Sequence, residues 1–444
     1  MPSLRDLNLR HLDAVATAAR LGSISAASHA MNLSQPALTQ AVAKVESVLG
    51  HRLLDRQPGG VVVTEAGRLM TGRIEHALAY VAQGGRSVRR GARLPPLPNV
   101  ERRITLGQLL ALMAVDHVGS FALAARHTGL SEPAVHRAAR DLEQLLEVPL
   151  LARQGRTVQP TAAAIRLLRF ARLAHAELES GFDELAALHS EGAGRITVGV
   201  MPLARAILLP QALARFARLY PVASVDVVEG PYIEVLSALR EGGIDVVVGA
   251  MRDPLPVADV VQEPLFDDDP VIVGRKGHPL RSEPGLIFGR LLDFPWVIAA
   301  PGAPVRCRWE QMFKEQGFEP PRPQIECGSV MVVRGLMLED DWLTLMSRDQ
   351  FLLEDRAGLL GEIAGAGSSL RRQIGMTTRK DWRPTRLQRE FLSIFRSTCS
   401  EWTSGKAMDG QPFRYACQAQ RGLDTAHHDA DKADANPRHL GTQP

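Results

Sequence analysis

Ser34-Gln35-Pro36-Ala37 heads a stretch whose side chains could read the groove of a nucleic acid. Behind it Leu38, Val42, Val45 and Leu49 recur at helical spacing, which turns Gln35, Thr39, Gln40 and Lys44 away from the apolar seam. The amide of Gln35 can bond an adenine edge and the methyl of Ala37 can meet a thymine methyl, with Thr39 and Gln40 extending the polar surface. Ser34, Lys44, Arg52 and Arg56 suit phosphate oxygens, contacts that fix position without reporting sequence. A blander role is open to the same residues: Ser34 as a helix cap with Pro36 in the first turn, and the polar face as solvated surface.

Such a reading face needs a scaffold, and the flanking residues supply one. Leu9, Leu12, Val15 and Ala16 predict a first helix ended by Gly22, and Ser23 caps a second carrying Ala26, Ala27 and Ala30, small residues that let helices cross closely. The third runs from Ser34 to a stop at Gly50. An arm, LLDRQPGGVVVT, places Pro58-Gly59-Gly60 between apolar residues and reads as a hairpin wing. Thr64 then starts an amphipathic helix with Leu69, Ile74, Leu78 and Val81. The prediction is a winged helix-turn-helix over residues 4–64 and a connecting helix over 65–90.

Shifted by 97 positions, the chain matches itself without a gap: Gly22-Ser23 on Gly119-Ser120, Leu33-Ser34 on Leu130-Ser131, Pro36-Ala37 on Pro133-Ala134, Glu46 on Glu143, Arg56-Gln57 on Arg153-Gln154, Thr64 on Thr161. That period is too long for a solenoid and predicts a second winged helix-turn-helix over 104–160. Its helix over 161–190 carries Leu167, Leu168, Ala171, Leu178, Leu185 and Leu188 as an apolar stripe. Glu132 replaces Gln35, Glu147 replaces Gly50 and Pro149 replaces Arg52, changes that weaken phosphate attraction or alter the turn. Ser131, His136, Arg137, Arg140, Arg153 and Arg156 are still candidates for DNA contact, so a DNA-binding role and a structural or dimerising one both stay open.

Length and charge agree with several domains. A chain of 444 residues exceeds what one hydrophobic core usually holds, and 45% hydrophobic residues allow most of it to fold. The net charge of +3 hides its distribution: residues 1–103 carry about +7 and the remainder is mildly acidic. GARLPPLPN, inside an Arg-rich segment over 91–103, predicts an extended linker. Cys307, Cys327, Cys399 and Cys417 form no CxxC pair, so neither a disulfide scaffold nor a zinc site is expected, and no cofactor. Without a membrane-length apolar run or a signal-type N-terminus the expected compartment is the cytoplasm, with no membrane partner. From about residue 403 the chain turns polar and loses periodicity, predicting a disordered tail over 403–444.

From Arg195 the pattern changes. ITVGV, SVDVV and IDVVVGA are short β-branched runs separated by helical stretches at 206–219 and 234–240, and further runs follow at 271–274, 295–300, 342–346 and 372–378. The prediction is a two-lobed α/β domain over 195–402. Ligands in open α/β sheets sit beyond the carboxyl ends of the strands. That rule selects Met201, Pro202, Leu203 and Ala204, Ala250-Met251, Pro301-Gly302 and Gly328-Ser329-Val330, with helix N-termini at 302–304 and Ser329 offering N–H groups to an anion. Cys327 beside them fits a small buried hydrophobe better than a redox sensor. No GxSxG, Walker loop, HExxH or strand-borne GxGxxG suggests an enzyme, and Asp267–Asp269 and Glu339–Asp341 read as solvated turns.

These strings resemble the LysR-type transcriptional regulators. GSISAAS, LSQPALTQAVAKVESVLGHRLLDR and VTEAG look like their DNA-binding signature, with GSFALAARHTGLSEPAVHRAARDLEQLLEVPLLAR a weaker second copy; RITVGVMPLARAILLPQALARFARLYP, GGIDVVVGA and RKGHPL resemble their effector-domain landmarks. Family members normally carry one helix-turn-helix, and many place Ser or Thr where Leu203 stands. The resemblance implies two all-α winged helix-turn-helix modules with long connecting helices before a periplasmic-binding-protein-like domain, its lobes near 195–265 and 270–370 with a returning last segment. It also implies double-stranded DNA, a small-molecule effector and RNA polymerase as partners, and a homo-dimer or homo-tetramer paired through a connecting helix. The helix after copy one either pairs in the same way or packs on copy two. IGMTTRKDWRPT is similar to a branch linked to aromatic-acid and sugar-related catabolism. The alternative is an architectural DNA-binding protein with no small ligand, which would need no two-lobed half.

Overall fold

Capping signals set the helices of copy one. In the computed structural model, which describes residues 4–155, 157–190, 192–201, 208–283, 287–367 and 370–404, α1 (Leu9–Leu21) is capped by Asn8, α2 (Ile24–Met31) by Ser23 and α3 (Gln35–Leu49) by Ser34. The hairpin β1 (Leu54–Gln57) and β2 (Gly60–Val63) forms the wing, and α4 (Glu65–Gly91) follows Thr64. Copy two repeats the design as α5 (Leu106–Val118), α6 (Phe121–Thr128), α7 (Glu132–Leu146), β3 (Leu151–Gln154), β4 (Thr157–Pro160) and α8 (Ala162–Ala187).

The same bonds hold both wings at equivalent positions. Glu46 Oε1 accepts the Leu53 and Leu54 N–H groups at 2.8 and 3.1 Å, and Glu143 Oε1 accepts those of Leu150 and Leu151 at 2.7 and 3.0 Å. The Thr64 hydroxyl donates to the Arg52 carbonyl and that of Thr161 to the Pro149 carbonyl. Val61 N–H donates to the Gly22 carbonyl and Val158 N–H to that of Gly119, each at 2.9 Å. Glu147 leaves the turn unaltered: its φ of 57° reproduces the left-handed 70° of Gly50. The Arg89 guanidinium, bonded to the Glu147 carboxylate at 3.0 Å and to the Leu146 carbonyl at 3.1 Å, helps hold a conformation that costs a side-chain-bearing residue about 1–2 kcal/mol.

Residues 91–103 do not form an extended spacer. Leu94 N–H returns to the Arg89 carbonyl, Arg89 Nε reaches the Pro95 carbonyl, and buried Val100 packs over Gly85, where a Cβ would stand 2.8 Å from its methyls. Apolar burial folds the segment back on α4 despite its prolines.

The apolar stripe of α8 is covered by α4 of the same chain, so it is not open to the subunit pairing that the resemblance implied. The two helices run antiparallel: Gly181 of α8 meets Met70 of α4, and Gly84 of α4 meets Leu167 and Phe170 of α8. Met70, Ile74, Ala77, Leu167, Ala174 and Leu178 are buried in this seam. A core residue such as Leu167 contributes about 1.5–3 kcal/mol by its burial. Arg73, 3% exposed, spans the seam to Glu177 at 3.0 Å and to both carboxylate oxygens of Glu184 at 3.0 and 2.9 Å.

In the α/β half, β5 (Arg195–Val200), α9 (Leu208–Leu219), β6 (Ser224–Glu229), α10 (Tyr232–Arg240), β7 (Val246–Ala250) and β8 (Val260–Asp268) build the first lobe. The second lobe holds β9 (Val271–Arg275), β10 (Val297–Ile298), α11 (Pro304–Glu315), β11 (Ile325–Glu326), α12 (Val330–Glu339), β12 (Thr344–Met346), α13 (Leu352–Arg356) and β13 (Leu360–Gly365). The chain then returns through β14 (Arg372–Arg379) and α14 (Arg386–Thr403). Strand order in the first sheet is β6-β5-β7-β14-β8, with β5 parallel to β6 and β7 and β14 antiparallel to β7 and β8; the second lobe has the antiparallel order β12-β9-β13 and a small β10-β11 pair. Periodicity did not announce β8 and β13, whose strings VVQEPLFDD and LGEIAG are interrupted by proline, glycine and charge. The expected tail beyond 404 lies outside the described residues.

Candidate nucleic-acid interface and effector cleft

Copy one presents its candidates together on one side. Ser34, Gln35, Pro36, Ala37, Gln40, Lys44, Arg52 and Arg56 are exposed and Thr39 is half-buried, while Leu38, Ala41, Val42 and Val45 anchor α3 from behind. Ser34 Oγ accepts the Ala37 N–H at 3.3 Å, so it is a cap, yet its own hydroxyl proton remains to donate elsewhere. Arg52 stands 3.9 Å from Asp55, both well exposed, an ion pair too solvated to restrain it.

Copy two keeps the backbone and changes the face. Arg137, Arg140 and Arg153 are exposed; Ser131 makes no side-chain cap bond, and Arg156 lies outside the described residues. His136 is not a free reader: its ring stacks on Phe121 at 3.6 Å between centroids and lies 3.9 Å from Glu132. At the position of Lys44 this copy has Asp141, a reversal of charge that compounds the Gln35 to Glu132 change.

The cleft candidates separate. Pro202, Leu203 and Ala204 lie outside the described residues. Met201 is buried against Gly249, and Met251, half-buried, lies against Gly375; Ala250 is half-buried, Pro301, Gly302, Gly328 and Ser329 are exposed and Val330 is half-buried. Pro304 opens α11 after an N-cap, Ala303, with no side-chain bond, whereas Ser329 Oγ takes the Val332 N–H at the start of α12. Cys327 is half-buried against the apolar cluster of Val333 and Met337.

Three polar residues that spacing did not select stand close to the cleft candidates. Arg252, one residue past Met251, lies with its guanidinium 4.6 Å from the Tyr232 ring centroid. Among the described residues, Arg252 Nε and the Tyr232 hydroxyl are buried with no hydrogen-bond partner. Burial raises the Tyr232 phenol above its ordinary range. Arg308 on α11 is held below its ordinary value by burial and by the nearby Arg372 and Arg252, which brings positive charge from both lobes to one place. Arg308 Nη1 donates to the Leu370 carbonyl at 2.6 Å and Asp268 offsets part of the charge, which leaves Arg252 Nε and the Tyr232 hydroxyl as the groups open to an anion. The readable signal was the pair of arginines flanking the predicted loops, since burial and partners are invisible in the string.

Asp267–Asp269 is not simply a solvated turn. Asp268 ends β8, and its carboxylate accepts from Arg372 Nε at 2.7 Å and from the Ser347 hydroxyl at 2.7 Å. Beside this link between β14 and the second lobe, burial and then Asp268 push the Asp349 carboxyl up to about 7.

The sensor is docked on the helix pair. Arg169 and Arg172 of α8 pair with Asp259 and Glu241 of the first lobe, Arg195 pairs with Glu179 at 2.8 Å, and Arg73 Nη1 donates to the Arg383 carbonyl at 2.8 Å. Between the two winged modules, α8 and the first lobe lies a cavity of about 1080 Å³ lined by Leu49, His51, His117, Arg172, Asp183 and Asp245 among others. There burial pushes Asp183 up to about 6. Among the described residues no helix is long and apolar enough to cross a membrane.

The bacterial regulatory helix-turn-helix model of the LysR family matches residues 9–68 and again 106–165, and the LysR substrate binding domain model matches residues 189–400. The HTH-type transcriptional regulator GalR of Pseudomonas putida is 32% identical over 372 residues, covering 84% of this chain and 92% of that protein. GbpR of Azospirillum brasilense is 26% identical over 250 residues, covering 56% and 73%. A solved structure of a Corynebacterium glutamicum OxyR C206 mutant aligns with a TM-score of 0.42 at 25% identity, over 69% of this chain and 94% of that one.

Proposed function

The chain belongs to the LysR-type transcriptional regulators, and we propose that α3 of copy one enters the DNA major groove while an anionic small molecule bound between the sensor lobes sets the outcome. Gln35, Pro36, Ala37, Thr39 and Gln40 would face base edges, and Ser34, Lys44, Arg52 and Arg56 phosphates. The observation that carries this reading is the exposed, rigidly clamped polar face of α3, continuous through α4 with the docked sensor.

For the effector, the support is the buried and unpartnered Arg252 Nε and Tyr232 hydroxyl beside Arg308. An aromatic acid, or an acidic sugar-related metabolite, supplies a carboxylate for the arginines and an acceptor for the phenol. Ligand closure moves one lobe against the other, and the first lobe bears on α8 through Arg169 and Arg172, so closure shifts the population of DNA-bound arrangements. A homo-dimer or homo-tetramer would use apolar surface left exposed on the sensor, such as Val227 and Val228 on the edge strand β6 or Met331 and Val332 on α12. RNA polymerase is the protein partner in this reading, and the cytoplasm its place.

The test is binding of the full chain to a fluorescent duplex from upstream of its own gene, titrated with aromatic carboxylates and sugar acids. A responsive ligand shifts the Kd by about 5–150-fold. Arg252→Ala removes that shift and keeps the DNA affinity. DNA binding that no ligand alters favours the architectural alternative.

A further inference from the structure

The contacts between α4 and α8 obey an exchange rule. Gly181 meets Met70; adding 97 to one number and subtracting it from the other gives Gly84 and Leu167, which also meet. The approach of Gly181 to Arg73 Cβ maps in the same way onto that of Gly84 to Phe170 Cβ. Only a two-fold rotation exchanges contacts like this, and its axis passes where Ala77 faces Ala174, both fully buried. The duplication has therefore produced, inside one polypeptide, two winged modules related as the subunits of a symmetric dimer. A DNA backbone has the same two-fold symmetry, which is why two-fold readers use inverted repeats.

Resting on the reading that copy one binds DNA, we propose that one chain is a complete two-headed reader whose target is an inverted repeat with unlike halves, one read by α3 and the other by α7. Copy two retains the three bonds that hold its wing against the helices, the Glu143 clamp, the Thr161 bond and the Val158 to Gly119 contact, and lacks the side-chain cap bond that Ser34 makes in copy one. Its outward residues Glu132, Arg137, Arg140 and Arg153 are exposed. Their chemistry differs from that of copy one. The amide of Gln35 suits adenine, whereas the carboxylate of Glu132 only accepts and suits the cytosine amino group, and Arg137 suits guanine. Because the halves are unlike, the complex has a direction along the DNA, and a second chain would add a second unlike pair.

The experiment enriches a pool of random-sequence duplexes on the full-length protein and sequences what is bound. The expected product is two inverted, unlike blocks at constant spacing. Glu132→Gln with Arg137→Ala changes only one block, Gln35→Ala changes only the other, and scrambling the second block weakens binding about 10–100-fold. The triple variant E132Q/H136T/R137Q, which gives copy two the face of copy one, makes the two blocks alike. A single block, or two like blocks indifferent to the copy-two variants, overturns the inference and leaves DNA reading by copy one intact. No enrichment by the wild-type chain removes that reading itself, and the inference with it. Circular dichroism of each variant checks that the fold is kept, above all for the His136 substitution, which removes a ring stacked on Phe121.

Discussion

Copies one and two share a backbone and differ in what they show to the outside. Glu46 and Glu143, Thr64 and Thr161, and the Gly22 and Gly119 carbonyls make the same bonds at nearly the same lengths. Gln35, Thr39, Lys44 and Arg52 have become Glu132, His136, Asp141 and Pro149. The difference teaches which residues a module of this size depends on. The clamps satisfy backbone groups that have no other partner, so they persist, whereas the cap bond of Ser34 has no counterpart at Ser131. Exposed positions are free to change partner, and here their charge falls without any change in shape.

That comparison is sharpest where the symmetry is broken. Arg73 and Phe170 occupy equivalent positions, but only Arg73 holds two carboxylates and the sensor's Arg383 carbonyl. Arg73→Met leaves Glu177 and Glu184 buried without their counter-charge and should cost about 3–5 kcal/mol by denaturant midpoint. Phe170→Met should cost less than about 1.5 kcal/mol. Equal losses would mean that the ion pairs contribute nothing special. A smaller effect tests the shared scaffold: Glu46→Ala and Glu143→Ala each strand two N–H groups and should each cost about 2–3 kcal/mol. Unequal costs would show that copy two tolerates damage that copy one does not.

The surfaces should part company in binding. Gln35→Ala should lose about 1–3 kcal/mol of discrimination at its base. Lys44→Ala should lower the slope of log K against log salt by about 1, and Asp141→Lys in copy two should raise it by about as much. A slope unmoved by Asp141→Lys would place α7 away from the phosphates.

The last comparison concerns pH and sets the helix-pair junction against the second lobe. Asp183 and Asp349 have folded pKa values of about 6 and about 7, both raised from 3.8 by burial. The folded state thus holds protons that the unfolded chain has released. Their stabilisation is present below about pH 4 and is lost as pH rises, by about 6 for Asp183 and about 7 for Asp349. Asn at either position should flatten that part of the profile in a thermal melt read from pH 4 to 8. An unchanged profile would mean the carboxyl is solvated.

By itself the sequence determined the modules. A gap-free repeat, the Ser34 cap before Pro36, and β-branched runs after Arg195 are local signals, and local backbone preferences answer to them. The candidates on α3 were legible for the same reason, since helical period alone assigns a face. Only the tertiary structure decided what covers each apolar stripe, because hydrophobic burial has no address: α8 could be buried by a second subunit or by α4, and two glycines, Gly84 and Gly181, let α4 come close enough. It likewise folded residues 91–103 onto Gly85 and brought Arg252 beside Tyr232 and near Arg308, since burial and charge neighbourhoods arise only when distant segments meet.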